Sequence, residues 1–511
     1  MVKKAIMVVV LLMVLVLGNY AQTGEAPTSY PDNLNLGRVS PSVLAFKPTP
    51  GSATSRLSLF HPYTGQNETP SFSRSEWEYP EDPYPYRLGT AIAEVVGVNV
   101  FVWGFGQYVM DNEGGAHSYI NLDTMRDNLT YWFEWDPNHF ATNFFAHPYH
   151  GSLYFNAGRS NGLDFWASGF TAFMGSFMWE MVMEHHRPSV NDLIMTTTGG
   201  MFLGEALFRF SNLVLDDSKT GWSRTWREVV GALLNPLGGL NRLVHGDMFR
   251  TRSYHNQIKA PLFLTLYWSG SLTNDNVSTD GAKASPGLEA LFVYGEAFKD
   301  AASRKPLDYF PLQIIARRTN GQLYFSIYAN GILAGKEPRG KEGQQHLFGL
   351  FQHYDYIYNE NIRLGGTSFC PGLISAFQLS PHARLTTSAY FGWMMLGAST
   401  NEYVGSGAGS SAAGIDYNYG TGYTAKVDLA LQLQKYGSFI IRWAHYKLFT
   451  LEGVDGTDRL NLFQGRYVLP VWKGLGLGLK FTQYRRNSQY DKFPDVKQKL
   501  YAFESLIAWR F

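Results

Sequence analysis

The chain has 511 residues, a formal net charge of +1, and only 17% charged residues against 15% aromatic ones. A near-neutral chain without a basic stripe carries no electrostatic footprint for nucleic acid. Its single cysteine, Cys370, excludes an intramolecular disulfide and a Cys-rich metal site, and no cysteine near residue 20 is placed to carry a lipid. The low charge, the aromatic content and 52 glycines suit a barrel with a lipid-facing band and aromatic girdles.

Residues 1–21 read as a secretory signal: Lys3 and Lys4, then an apolar run from Ala5 to Leu17, then a cleavage site after Ala21. Residues 22–88 read as a Pro/Ser-rich arm or linker. The Pro-interrupted stretch Glu78 to Pro85 cannot continue a helix or a central strand, and a short edge strand is expected near Leu57–Phe60.

Residues 89–255 read as a helical unit. Ala91–Met110 is apolar and fits either a buried helix or a strand pair. Asp123–Trp135 is expected to be helical, capped by Asp123 and stopped by Asp136-Pro137. Leu163–His186 is a second helix, and Pro188 breaks it. Ser189 then caps a third, with Asp192 in the capping-box position, running to about Leu215. The two form a predicted hairpin over 163–215, in which Thr196, Gly199, Gly200 and Gly204 would let the pair approach closely. A further helix is expected over Thr225–Leu234.

Residues 256–511 change to a period of two. Tyr423, Ala425, Val427, Leu429, Leu431 and Leu433 share one face, with Thr424, Lys426, Asp428 and Gln432 on the other. His353 and Asp355 are expected to point into a polar lumen, and Tyr354, Tyr356 and Tyr358 to form part of a girdle. Asn320-Gly321 and Asp455-Gly456 mark turns. The final strand alternates up to Phe511, and its terminal aromatic resembles the signal read by the bacterial outer-membrane barrel assembly machinery. The sequence thus predicts a mixed fold, an N-terminal helical unit followed by an antiparallel transmembrane β-barrel of about 12 strands.

Nucleophile elbows, phosphate loops and zinc-type cysteine patterns are lacking. The polar residues that stand out are His147, His150, Glu180, Glu184, Asp192 and Glu205. Imidazoles and carboxylates in an apolar, aromatic setting suit divalent-metal binding or general acid–base chemistry. They equally suit buried groups that satisfy one another. Neither the metal nor any cofactor follows from the sequence.

The run His147-Pro148-Tyr149-His150-Gly151-Ser152-Leu153-Tyr154-Phe155-Asn156, then Trp179-Glu180, Glu184 to Asp192, Thr197 to Gly200 and Gly204-Glu205 resembles domain of unknown function 3943, a family of exported proteins of Gram-negative bacteria. The resemblance implies that residues 134–245 form one unit and carries over no activity. The expected setting is the cell outer membrane, with membrane lipid and the assembly machinery as partners. The leading expectation is a barrel with a helical plug or periplasm-facing unit, serving envelope transport or organisation. The alternative is an envelope hydrolase acting on lipid or lipopolysaccharide through the six residues above.

Overall fold

The computed structural model describes residues 84–108, 120–131, 133–136, 138–252, 260–275, 283–298, 304–359, 362–403 and 416–511. The expected signal segment and the Leu57–Phe60 strand lie outside these residues. Twelve strands pair in sequence order and close on themselves: β1 Leu262–Asp275, β2 Lys283–Tyr294, β3 Phe310–Thr319, β4 Gln322–Lys336, β5 Gln344–Tyr358, β6 Arg363–Ser380, β7 Ala383–Thr400, β8 Tyr417–Leu433, β9 Gly437–Glu452, β10 Gly456–Trp472, β11 Leu475–Tyr490 and β12 Val496–Arg510. β1 completes the ring against β12, with Leu266 opposite Trp509. The Asn320-Gly321 turn joins β3 to β4, both residues taking the positive φ that a two-residue hairpin requires (51° and 82°).

The period of two separates the faces. Glu289, Gln313, Arg317, Asp355, Lys426, Asp428, Arg442, Arg466, Lys480 and Glu504 point inward and are tied across the lumen. Lys480 reaches Glu289 at 2.9 Å and Glu504 at 3.0 Å, and Arg317 reaches Glu504 at 2.7 Å. Arg466 also pairs with Glu289, from a strand four places round the ring. Tyr328 on β4 meets Tyr484 on β11 at 3.1 Å. His353 and Asp355 face inward as expected, both contacting Lys426. Around β1 and β6–β12 the outer face leaves Trp268, Leu272, Phe391, Trp393, Leu479 and Phe503 more than half exposed. Such a surface matches hydrocarbon rather than water.

The helical unit comprises α1 Leu88–Tyr108, α2 Leu122–Thr130, α3 His147–Arg159, α4 Phe165–Met178, α5 Val190–Ile194, α6 Gly200–Val214, α7 Gly221–Leu234 and α8 Pro236–Val244. Three π-helical turns interrupt it: π1 Thr142–Ala146, π2 Trp179–Met183 and π3 Met195–Gly199. Residues 91–108 are therefore helix, resolving the helix-or-strand ambiguity. Asn121, not Asp123, caps α2; its side chain accepts from the Thr124 N–H while Thr124 bonds back, a complete capping box. Asp164 caps α4 by accepting from the Ala167 N–H.

The expected hairpin is not the closest helix pair. α6 packs against α3, an element that the periodicity did not predict. A Cβ on Gly200 would lie 2.6 Å from the Gly151 backbone, and one on Gly204 would lie 2.7 Å from the Phe155 ring. The small residues do permit close approach, but to α3. Pro148 follows π1 within a helical run continuous from residue 140, and the wider π turn accommodates its missing N–H.

The unit is neither a plug nor confined to one end of the barrel. It covers the outer wall from β2 to β8. Phe210 packs on Phe292 and Phe310, with ring centroids 5.6 and 5.7 Å apart. Phe140 lies 5.2 Å from Tyr356 and 5.6 Å from Tyr417, and Trp135 lies 5.0 Å from Tyr419. Gln352 donates to the Thr198 carbonyl at 2.7 Å. All these wall residues alternate with the lumen residues of their strands, so they face outward. Tyr294 and Phe310 are at the end where β1 begins, and Tyr358 and Tyr417 are at the opposite end. The contact therefore runs the full height of the wall. The expected tyrosine girdle on β5 is in fact a docking surface. Glycines at Gly331 and Gly365 make room for Phe202 and Phe144.

Candidate functional site

The three π turns converge on one polar pocket in this seam. An extra residue per turn re-aims the side chains around it, and such turns are frequent at functional sites. π1 leads directly into His147, π2 carries Glu180, and π3 follows Asp192 and supplies Thr196. A single parallel bridge lines up the remaining strand of chain: Glu134 donates to the Pro188 carbonyl and accepts from the Val190 N–H, each at 2.9 Å. That bridge sets Asp136 beside Asn191, whose side-chain oxygen accepts from the Asp136 N–H at 2.8 Å. The Asn191 amide then donates to Asp192 at 2.7 Å. Asp136, His147 and Asp192 each bring one ligand atom to within 4.8 Å of the others. His147 Nε2 lies 3.3 Å from Asp192 Oδ1, close but without hydrogen-bond alignment.

Asn143 is fully buried between this group and the barrel. One end of its amide contacts the hydroxyls of Tyr417, at 2.8 Å, and Tyr419 on β8. The other end lies 3.1 Å from Asp136 Oδ2 and 3.2 Å from Asp192 Oδ1. The two tyrosine hydroxyls reach the carbonyls of Asn138 and Asp136, at 2.6 and 2.7 Å.

The six sequence candidates divide. His147 and Asp192 meet. Glu180 and Glu184 lie near them but are engaged elsewhere. Glu180 accepts from the Ser189 N–H at 2.7 Å, the bond expected of Asp192 in a capping box, and the Ser189 side chain makes no cap bond. Glu184 accepts from the Trp179 indole at 3.1 Å. Asn128 donates to the backbone carbonyls of both glutamates. His150 packs between the rings of Tyr154 and Trp179, at 4.6 and 5.4 Å. Glu205 does not belong to the pocket. It is held by Arg159 and Arg209, each at 2.8 Å, at the other end of α3. Twelve residues of helix rise separate that end from His147, about 18 Å.

Burial sets the electrostatics. Asp192, Glu180 and Glu184 are all buried close to His147, so any charge gathered in this pocket calls for a partner.

Sequence reasoning missed Asp136, Asn143, Tyr417 and Tyr419. Asp136 read only as a helix stop, and Asn143 lay in a stretch without periodicity. The tyrosines come from a strand more than 270 residues away from Asn143.

Fold and site together define a closed, twelve-stranded β-barrel protein that carries a helical unit on its outer wall. Within it, residues 132–237, which span π1 through α7, match the family model described as Domain of unknown function (DUF3943). No curated protein matches the chain. Among solved structures, the NanC porin is similar at 8% identity and a TM-score of 0.24, over 47% of this chain and 98% of that one. OprD of Pseudomonas aeruginosa is similar at 11% identity and 0.18, over 49% and 95%. The outer membrane protein Omp33 of Acinetobacter baumannii is similar at 8% identity and 0.19, over 49% and 98%. These scores are low, and the barrel assignment rests on the strand pairing itself.

Proposed function

We propose that the protein resides in the outer membrane of a Gram-negative cell, delivered there by an N-terminal signal and the barrel assembly machinery. In this reading the barrel is a closed wall rather than a channel. It holds a membrane-embedded helical unit, and the unit serves the organisation or transport of envelope components along that wall. The observation that carries the reading is the division of faces. The lumen side of the strands is crossed by ion pairs among the described residues, while the helices occupy the opposite, outward side.

The outer surface of the helical unit supports it. α1 is long and apolar enough to cross a membrane. It turns Ala91, Val95, Val98 and Asn99 inward, with Asn99 accepting from the Tyr154 hydroxyl, and leaves Ile92, Val96, Phe101 and Phe105 exposed. α4 exposes Trp166, Phe170 and Phe173 likewise. An apolar surface of this kind, like the barrel's own exposed apolar face, fits acyl chains as its solvent.

The test is labelling in vesicles. A cysteine at Phe101, which is 71% exposed, should react with an apolar, lipid-partitioning maleimide and resist a charged one. A cysteine at Phe292, beneath Phe210, should resist both. Rapid reaction of the Phe101 position with the charged reagent would overturn the membrane-embedded reading.

A further inference from the structure

The hydrogen-bond directions at Asn143 conflict with a simple polar core. Each tyrosine hydroxyl has one proton, and a backbone carbonyl stands ready for each: Asn138 for Tyr417 and Asp136 for Tyr419. With those protons donated, both hydroxyls can only accept at Asn143, which fixes the amide nitrogen toward them. The amide oxygen then faces Asp136 Oδ2 and Asp192 Oδ1 at 3.1 and 3.2 Å. Turning the amide would relieve those contacts only by setting its oxygen against hydroxyls whose protons are already used. The Asn143 oxygen and one oxygen from each of Asp136 and Asp192 therefore converge in a buried pocket.

His147 Nε2 closes the group. It is out of contact with solvent and makes no hydrogen bond, although it lies 3.3 Å from Asp192 Oδ1. Its other nitrogen sits 3.4 Å from the Thr196 hydroxyl, which can accept the Nδ1 proton and leave the Nε2 lone pair directed inward.

We propose that Asp136, Asn143, His147 and Asp192 bind a divalent transition-metal ion, Zn²⁺ by chemical class, at the seam between the helical unit and the barrel wall. Mixed imidazole and carboxylate donors without thiolate favour a borderline ion over a hard one such as Ca²⁺. The spacings agree. Ligands at about 2.0–2.1 Å from a tetrahedral ion stand about 3.3 Å apart, as His147 Nε2 and Asp192 Oδ1 do. A cation also compensates the charge of carboxylates gathered in a buried pocket. Tyr417 and Tyr419 orient Asn143 from the barrel side, so the ion would tie the two units together. This inference stands whether or not the helices face lipid.

The experiment uses the full chain in detergent, equilibrated in turn with Zn²⁺, Mn²⁺ and Ca²⁺, desalted and assayed for bound metal and melting temperature. One Zn²⁺ per chain is expected, with a fall in melting temperature on adding EDTA. Asp192→Asn and His147→Gln should lose the ion. Tyr419→Phe, which leaves the ligands in place, should weaken affinity by about 10- to 100-fold. The heat-dependent gel mobility of the barrel reports whether each variant folds. Wild type that retains no transition metal and ignores EDTA would overturn the proposal in favour of a carboxyl–carboxylate pair sharing a proton. Preference for Ca²⁺, or full Zn²⁺ affinity in folded Asp192→Asn, would overturn it as well.

Discussion

Glu205→Ala should loosen the helical unit without touching the carboxylate–imidazole pocket. Glu205 is fully buried, and its two oxygens are divided between Arg159 and Arg209, themselves 4% and 2% exposed. Arg159 also donates to the Leu163 carbonyl and lies 4.5 Å over the Phe208 ring. Arg209 reaches out of the unit to the Pro306 carbonyl at 2.9 Å and the Tyr294 hydroxyl at 3.3 Å on the barrel side. Removing the carboxylate leaves two buried guanidiniums without their shared counter-charge, a change that costs about 3–5 kcal/mol. That corresponds to roughly two to three and a half orders of magnitude in the opening equilibrium of the helices. Hydrogen exchange resolved by segment is the assay: α3 and α6 should lose protection by such factors, while β9–β12 keep theirs. A Glu205→Leu, Arg159→Met, Arg209→Met triple variant should recover much of the loss, because apolar replacements remove the desolvation problem together with the pair. Wild-type protection of α3 and α6 in Glu205→Ala would refute the assignment of Glu205 to the packing of the unit.

In the lumen, Glu289→Ala strands Arg466 and leaves Lys480 with Glu504 alone, and should lower the temperature at which the barrel loses its folded gel mobility, by about 3–5 kcal/mol of stability; an unchanged transition would mean that the cross-lumen pairs do not hold the barrel shut.

The barrel was legible because a period of two with one polar and one apolar face has few other solutions over twelve segments. The lumen placement of His353 and Asp355 followed from the same alternation. What the pattern could not show is what covers the apolar face. Phe292, Ile314, Ile327 and Tyr354 look alike whether lipid or helix lies against them, and only Gly331 and Gly365 mark close contact. α3 escaped notice because Pro148, Gly151, Asn156 and Gly158 are poor helix formers, and it exists through tertiary packing against α4 and α6. The pocket was half legible. His147 and Asp192 stood out as polar groups in an apolar setting, whereas Asp136 and Asn143 acquire meaning only once the Glu134–Ser189 bridge and β8 are in place. Glu205 was misassigned by the same criterion, although Arg209, one turn further on, was its partner all along.

The positions of the two polar systems explain why the helices are outside. The lumen is satisfied by long charged and tyrosine side chains reaching from opposite strands, and an apolar helix inserted there would strand Glu289, Arg466 and Lys480 without partners. The outer wall presents the opposite need, an apolar surface that gains from any dry cover. The helical unit meets it with Phe140, Phe202 and Phe210 while keeping its own carboxylates and imidazoles away from that contact. At Tyr417 and Tyr419 the pocket's polar groups reach the wall through hydroxyls. A change of charge at Asp136 or Asp192 is therefore transmitted to the barrel through Asn143 and those two hydroxyls, and it acts on the docking of the unit before it acts on the lumen.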